Sequence, residues 1–260
     1  MDYIAGIDEV GRGSLAGPVL ASSVILKRKY EDLGLKDSKK LTKKKRESLF
    51  RLINKKSKGI GIGIVSPAKI DKINIREATF LAMNLSLDNL SLLPVKALVD
   101  GFPLKNKLIP SEGIISGDSK VDSIMAASII AKVTRDNIMN NYSKLFPEYG
   151  FETNNGYGTK FHIEALKQHK STPIHRKTFS PVKKYMPTIS WLKANKRILW
   201  ISEKFAGLHL IEKGHKIIKL LENFPYANLI TEKEGKRYFV KVYNSIDKST
   251  RFSNKKFDAR

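Results

Sequence analysis

The chain has 260 residues, of which 41% are hydrophobic, so it is long enough to bury a core and wholesale disorder is excluded. It has no cysteine, which excludes disulfides, thiolate zinc sites and thiol nucleophiles. A formal net charge of +23 favours a polyanionic partner, nucleic acid before an acidic membrane surface, with a generally lysine-rich proteome as the plain alternative. Apolar runs are too short for a membrane span and no signal peptide is recognised, so we expect a cytoplasmic protein without membrane contact.

The first 182 residues alternate short apolar runs with helical stretches, which indicates an α/β fold with a mixed sheet flanked by helices. Runs rich in Ile and Val predict strands, and helical spacing of apolar residues predicts helices, one of them capped by Ser66 and Pro67. In chain order we expect strands at 3–8 and 19–26, a helix at 42–56, a strand at 60–65, helices around Asp71 and at 75–90, strands at 97–100 and 114–115, and a long helix at 123–145.

The composition changes near residues 181–187, where Lys183 to Pro187 is typical of a linker. Beyond it the pattern predicts a helix at 198–213 and strands at 215–220, 227–231 and 238–243. From Trp191 to the end there are 16 Lys and Arg against 7 Asp and Glu. We therefore expect two domains, residues 1–185 and a small basic α/β module at 191–260.

Four carboxylates stand where strands end or helices begin in this basic chain. Asp8 and Glu9 close the first predicted strand, Asp100 closes another, and Asp118 precedes the long helix. Hydrolysis of a phosphodiester is assisted by two divalent cations, and hard cations prefer carboxylate oxygens. Both Asp8 and Glu9 can face one site only if the strand ends or bulges there. For any single one of these aspartates, an ordinary Asp-Gly or Gly-Asp turn is the simpler interpretation.

Two glycine-containing loops and a basic run are candidate substrate contacts. Gly11, Arg12 and Gly13 form a loop whose backbone amides suit a ribose hydroxyl or a phosphate, although a plain turn is the commoner explanation. Tyr157 lies between two glycines, exposed for stacking or packed back on the core. Lys39 belongs to a basic run at 39–46, for which phosphate contact and a solvated helix face are equally plausible.

In order and with their flanks, these segments resemble type 2 ribonuclease H, the bacterial ribonuclease HII family, over residues 1–185. The resemblance rests on five blocks in register. They are GIDEVGRGSLAGPV at 6–19, DSKKL at 37–41, VDG at 99–101, GDSK with SIMAASIIAKVTRD between 117 and 136, and YGF, GYGT and TPIHR between 149 and 176.

The resemblance implies a ribonuclease H-like fold and metal-dependent endonucleolytic cleavage of RNA in RNA–DNA hybrids. It implies incision 5′ of single ribonucleotides in duplex DNA, with 5′-phosphate ends, and two Mg²⁺ or Mn²⁺ ions as cofactors. By position, Asp8, Glu9, Asp100 and Asp118 match the catalytic metal ligands. The substrate-binding positions matched are Gly11, Arg12, Gly13, Lys39 and Tyr157.

Departures from the family pattern are small. Ser14, Phe102 and Met125 stand where the family commonly has proline, asparagine and alanine, and none is an expected metal ligand. The related type 3 enzyme carries an extra N-terminal domain, so the strand beginning at Tyr3 disfavours it. We interpret His162, His169 and His175 as packing or surface residues and Asp136 as structural.

The C-terminal extension is weakly similar, over 203–245, to restriction-endonuclease-like nucleases. Where that fold carries Asp, Glu and Lys, this chain has Asn228, Lys241 and Tyr243. The resemblance thus implies a module that has lost its nuclease activity but can still bind nucleic acid. The alternative is an unrelated basic extension. We expect a monomer acting on RNA–DNA hybrids and ribonucleotide-containing duplex DNA. The rival function is a non-catalytic hybrid-binding protein.

Overall fold

The computed structural model describes residues 2–27, 42–105, 108–221 and 224–243, and it divides into two compact units between Met186 and Pro187. No helix in these described ranges is both long and apolar enough to cross a membrane. The first unit holds the five-stranded sheet and the second a separate three-stranded sheet.

The first unit is built on a mixed sheet in the order β3-β2-β1-β4-β5. β2 pairs antiparallel with both β1 and β3, whereas β4 pairs parallel with β1 and with β5. The carboxyl ends of β1, β4 and β5 therefore lie side by side at one edge of the sheet. The strands are β1 Ile4–Val10, β2 Val19–Ile25, β3 Gly59–Val65, β4 Lys96–Asp100 and β5 Ser111–Ile114.

Helices cover both faces of this sheet, which confirms the predicted α/β class. On one face, Ala5 and Ile7 of β1 pack with α2; on the other, Val24 of β2 packs with α1 and α3. The helices are α1 Lys43–Lys56, α2 Pro67–Asp88, α3 Asp122–Leu145, α4 Phe151–Asn154, α5 Lys160–His169 and α6 Ser180–Lys183, with single 3-10 turns at Gly117–Ser119 and Pro147–Tyr149.

Local sequence explains how these helices begin. The Thr42 side chain accepts a hydrogen bond from the Lys45 amide, and the Ser66 side chain accepts one from the Lys69 amide, so both are N-caps. Pro67 is the first helical residue after Ser66, as predicted. α2 is interrupted at Asn74, which has φ 63° and ψ 167° and accepts a hydrogen bond from the Glu77 amide as a second cap. The predicted pair of helices is thus one kinked element.

The second unit contains two helices and an antiparallel sheet in the order β6-β7-β8. Ile217, Leu229 and Thr231 are fully buried on one face of this sheet. Its elements are α7 Ile189–Ala194, α8 Ile198–Glu212, β6 Lys216–Leu220, β7 Leu229–Lys233 and β8 Lys236–Val240.

Candidate active site

The sheet places Asp8, Glu9 and Asp100 at the edge where its parallel strands end. The ladder between β1 and β4 stops at the pair Ile7–Val99, and β4 ends at Asp100, opposite Ile114 of β5. β1 continues for three more residues beyond that ladder. Two carboxylates of β1 thus lie beside the last residue of β4.

The local geometry of β1 differs from the expectation that the strand ends or bulges at Asp8 and Glu9. That expectation was wrong, because β1 runs to Val10 in unbroken register with β2. Asp8 lies on the α3 face of the strand, which Gly6 also occupies, and Glu9 lies on the α2 face. Both side chains reach the same edge because β4 ends next to them and leaves that side of the strand open.

Close approach of α3 to β1 depends on Gly6. A Cβ added there would lie 2.2 Å from the Ser123 carbonyl carbon and 2.4 Å from the Ile124 nitrogen, both backbone atoms that cannot move aside. Only glycine admits the first turn of α3 at this distance. The helix in turn brings Ser128 near Asp8, where its hydroxyl partly offsets the rise in the pKa of that carboxyl.

Burial and mutual repulsion weaken the acidity of the two β1 carboxylates. Desolvation raises the pKa of Asp8 to about 8, with Glu9 and then Asp100 contributing further negative charge. Desolvation also raises the pKa of Glu9, which the nearby Arg12 partly offsets through a 3.3 Å ion pair. These charges act on one another because the three carboxylates lie in one cluster. Added positive charge would stabilise that cluster.

Asp100 and Asp118 are joined through the backbone of the short 3-10 turn. The Asp100 Oδ1 accepts hydrogen bonds from the Gly117 amide at 2.7 Å and from the Asp118 amide at 3.4 Å. Asp118 is only 5% exposed and comes just before α3. Asp118, the fourth predicted carboxylate, is therefore one of the two residues whose backbone amides hydrogen-bond to Asp100.

The donor set fits a hard divalent cation in its chemistry. All four side chains are carboxylates, and two are desolvated with a raised pKa. Across the described ranges, no three His, Cys, Asp or Glu side chains already stand close enough together to hold a metal ion. Binding of a cation would therefore require these side chains to move closer together.

The predicted glycine loop follows β1 and is held from below by two buried arginines. Gly11 has φ +89°, and a Cβ there would lie 2.2 Å from Nε of Arg135. Arg176 donates to the carbonyl oxygens of Gly11 at 2.6 Å, Arg12 at 2.7 Å and Gly17 at 3.0 and 3.1 Å. Arg135 donates to three more carbonyls, those of Ala16, Pro18 and Asn155.

This arrangement turns the carbonyls of the loop inward. Within the described part of the chain, no hydrogen bond uses the amides of Arg12 and Gly13. Burial, with the charge of Arg135, lowers the pKa of Arg176 to about 9, so it stays protonated at neutral pH. The loop therefore offers N–H groups outward over a positively charged support, which suits an anionic or hydroxyl ligand.

Tyr157 lies against the glycine loop. Its ring is 39% exposed, its Cε1 would be 3.9 Å from a Cβ at Gly13, and the Arg135 guanidinium lies 5.8 Å from its ring centroid. The loops are joined by hydrogen bonds from the Leu15 and Ala16 amides to the Gly156 carbonyl. Two predicted substrate-binding segments are thus assembled into one surface.

Two histidines form a buried hydrogen-bonded chain beneath Tyr157, which the packing interpretation from sequence had missed. The Thr172 amide donates to Nδ1 of His175, so Nε2 of neutral His175 carries the proton. That proton is donated to Nε2 of His162 at 2.9 Å, and Nδ1 of His162 then donates to the Tyr157 carbonyl at 2.9 Å. Desolvation lowers the pKa of both rings, that of His175 well below its usual value. The pair fixes the backbone of Tyr157.

Other predicted residues fall outside this site. Asp136 pairs with Lys132 one helical turn away at 2.8 Å, in agreement with a structural role. Phe102 is 80% exposed directly after Asp100 and Gly101. Lys39 lies outside the described residues, so its role stays a prediction.

In the second unit, two of the residues singled out in the weak nuclease-like pattern meet a helix carboxylate. The Asn228 amide donates to Glu203 Oε1 at 2.6 Å and its Oδ1 accepts from the Val242 amide. The charge of Lys241 also acts on Glu203. A single carboxylate facing an amide and a cation is a poor ligand set for a divalent metal.

Comparison with known proteins identifies relatives of the first unit. The sequence model of the family described as ribonuclease HII matches residues 5–182. Ribonuclease HII of Desulfitobacterium hafniense (strain DSM 10664 / DCB-2) is 49% identical over 187 residues, 72% of each chain. That of Bacillus subtilis (strain 168) is 53% identical over 182 residues, 70% of this chain and 71% of its own. The crystal structure of ribonuclease H2 from Pyrococcus horikoshii OT3 superposes with a TM-score of 0.61 at 29% identity, covering 70% of this chain and 96% of that one.

Proposed function

The chain belongs to the ribonuclease HII family, and from that premise we propose that Asp8, Glu9, Asp100 and Asp118 hold the divalent cations of its reaction. The resemblance seen in the sequence is thereby confirmed. The protein is a metal-dependent endonuclease that cleaves RNA in RNA–DNA hybrids, including duplex DNA with a single ribonucleotide. The alternative of a non-catalytic hybrid-binding protein gains no support.

The observation that carries the assignment is the buried carboxylate cluster at the open edge of β1. Burying Asp8 and Glu9 next to Asp100 is costly in the absence of positive charge, as the raised pKa of Asp8 and of Glu9 indicates. The chain has a net charge of +23, so Lys and Arg side chains are plentiful for a purely structural site. This site nevertheless consists of carboxylates. Such a cluster supports a site for cations brought from solution.

Mg²⁺ or Mn²⁺, two ions together, suits these oxygen donors. When bound, such ions supply the charge that activates a water and stabilises the leaving 3′ oxygen. The four carboxylates would hold such ions at the edge of the sheet where β1 and β4 end. Arg12 is paired with Glu9 at 3.3 Å. The product ends we expect are 5′-phosphates.

Selection of the ribonucleotide falls to the glycine loop and Tyr157. The amides of Arg12 and Gly13 face away from the arginine-clamped carbonyls and suit a ribose 2′-hydroxyl, the group that distinguishes RNA from DNA at one position. The ring of Tyr157, held over the loop through the histidine pair, suits stacking on the neighbouring sugar or base. Lys39 is proposed, from the resemblance alone, to contact a phosphate.

The two units are proposed to divide the work. Residues 1–185 form the catalytic domain, and residues 191–260 form a basic accessory module. We further infer that the protein acts as a monomer in the cytoplasm. Light scattering of the purified protein tests the first point, since a stable dimer would double its measured mass.

The decisive experiment uses a labelled DNA duplex with one ribonucleotide, an all-DNA control, and Mg²⁺, Mn²⁺ or EDTA. We expect one metal-dependent cut 5′ of the ribonucleotide and no cut in the control. The variant Asp100→Asn should lose cleavage by a large factor while it still binds the duplex. Asp88→Asn, on an exposed residue at the end of α2, is the matched control and should cleave normally. Full activity of Asp100→Asn would contradict the proposed site.

A further inference from the structure

The second unit presents one sheet face whose side chains are exposed on the two outer strands and half-buried on the central strand. In β7, the residues alternate between the buried Leu229 and Thr231 and the outward Ile230 and Glu232. Strand register then aligns two cross-strand rows on the outward side. The rows are Lys219–Ile230–Phe239 and Lys216–Glu232–Arg237, and together these six residues are called the outer sheet face.

The outer sheet face combines an exposed aromatic ring with cations. Phe239 is 67% exposed, and Lys216, Lys219 and Arg237 are all exposed. Neighbours directly across antiparallel strands are about 5 Å apart at Cβ, so each row is a continuous strip of side chains. Its one acidic residue, Glu232, lies between Lys216 and Arg237. One row therefore joins the apolar Ile230 and Phe239 to Lys219, and the other row has a cation at each end.

The charge of the whole unit points the same way. Residues 187–260 carry 16 Lys and Arg against 7 Asp and Glu. The family match ends at residue 182, so this unit lies beyond the part of the chain that the family model describes. An exposed phenyl ring in water costs free energy, and a cationic surround attracts polyanions.

We propose that the outer sheet face binds a single-stranded segment of nucleic acid, with a base stacked on Phe239 and phosphates on Lys216, Lys219 and Arg237. Aromatic stacking of unpaired bases combined with basic side chains along the backbone is the general mode of binding single strands. A sheet surface is a suitable platform because its paired strands hold side chains next to one another, here with a register irregularity in β6 between the two rows. A duplex hides its base faces, so the ring favours an unpaired strand. The proposal does not depend on the catalytic assignment.

The test measures fluorescence anisotropy of a short labelled oligothymidine with the full-length protein in EDTA. Phe239→Ala should weaken binding by about five-fold or more, the effect of losing one stacked base. Phe239→Trp should restore it, whereas Phe239→Leu, which keeps an apolar side chain, should not. Phe205→Ala is the matched control, because Phe205 is an equally exposed phenylalanine (58%) on α8.

The cations are tested by the salt dependence of the same binding. Replacing Lys216, Lys219 and Arg237 with alanine should lower the slope of log Kd against log salt by about two, since each single-strand phosphate contact contributes about 0.7. The control replaces three exposed lysines away from the face, Lys193, Lys196 and Lys213.

Three outcomes would overturn the proposal. These are unchanged binding by Phe239→Ala, equal loss in both triple variants, and rescue by leucine. Cleavage of a short ribonucleotide-containing duplex, measured in parallel, should stay at the wild-type level in every variant. A protein inactive on that duplex but normal in oligothymidine binding would count against the catalytic assignment alone.

Discussion

Arg176 is the residue whose replacement most directly tests how the glycine loop is held. Its side chain is fully buried and donates four hydrogen bonds of 2.6 to 3.1 Å to three carbonyl oxygens. In Arg176→Met the aliphatic volume remains, but the carbonyls of Arg12 and Gly17 lose their donor, and that of Gly11 keeps only the Ser14 amide at 3.4 Å. Each buried carbonyl left without a partner costs about 1 kcal/mol at the low end, so the two orphaned carbonyls predict a loss of about 2 kcal/mol. The low end applies because the desolvation cost of the guanidinium is removed at the same time.

The assay is urea unfolding followed by far-ultraviolet circular dichroism in EDTA. Both tryptophans, Trp191 and Trp200, belong to the second unit, so their fluorescence gives a separate curve for that unit. Arg176→Lys should lose less, because an ammonium still donates but lacks the planar fork. Arg51→Met, on the exposed face of α1, is the control and should change stability by less than about 0.5 kcal/mol.

The same variant should also lose activity beyond its loss of stability. Well below its unfolding temperature, Arg176→Met should show a reduced preference for a ribonucleotide over a deoxyribonucleotide, because the loop amides are no longer fixed. If Arg176→Met unfolds within about 1 kcal/mol of the wild type and keeps its selectivity, then the clamp contributes little and the reasoning is refuted.

Three further predictions concern the same region. Gly13→Ala should fold normally, as melting curves would show, because its Cβ would meet only Tyr157 at 3.9 Å. It should nevertheless cleave at least about ten-fold more slowly in gel assays, since the added methyl group obstructs the loop. His162 and His175 have a lowered pKa when folded, so the unfolded chain takes up more protons below about pH 6.5, and stability should fall as the pH drops through that value, as urea titrations would measure. For Asp8 the folded pKa is raised to about 8, so the folded protein keeps a proton that the unfolded chain releases above about pH 3.8, and stability without metal should fall as the pH rises from there. Asp8→Asn should therefore raise the melting temperature in EDTA at pH 8.

Controls for these predictions are available in the chain. His169→Gln replaces a ring outside the hydrogen-bonded chain of His162 and His175, so it should leave the acid sensitivity in place. For Asp8→Asn, added Mg²⁺ should remove the advantage of the variant, because only the wild type gains from binding the cation. If Asp8→Asn is no more stable than the wild type in EDTA, then ionised Asp8 does not destabilise the folded protein.

The secondary structure was largely predictable because it is encoded locally. β3 reads as alternating Gly and Ile, and α1 and α2 begin at capping residues that the sequence displays. Even the break between the helices around Asp71 and after Ile75 was visible, and Asn74 supplies its cause. The helix limits moved by a residue or two because end residues fray.

The candidate site was predictable in residue type but not in assembly. Carboxylates at turns suggested metal ligands, yet their approach depends on the parallel pairing of β1 with β4, between residues some ninety positions apart. The expectation that the strand ends or bulges at Asp8 and Glu9 was wrong for the same reason, since the end of a distant strand, not the local backbone, opens that edge. Nothing in the local sequence marks Arg135 and Arg176 as buried, because arginine is ordinarily a surface residue.

The distribution of charge around the site explains how an acidic centre operates in a basic protein. Without a cation, the pKa of about 8 keeps the Asp8 carboxyl largely neutral at pH 7, and once ionised it would repel a phosphate, so substrate binding cannot depend on this cluster. The neighbouring loop compensates, because two buried guanidiniums, Arg135 and Arg176, lie under amides that face outward. In the proposed site, the groups that attract the nucleic-acid backbone are thus adjacent to, but distinct from, the groups that cleave it. Cations held by the carboxylates would make the local charge of the site positive. Cleavage would then depend on metal, whereas binding of the substrate would persist without it.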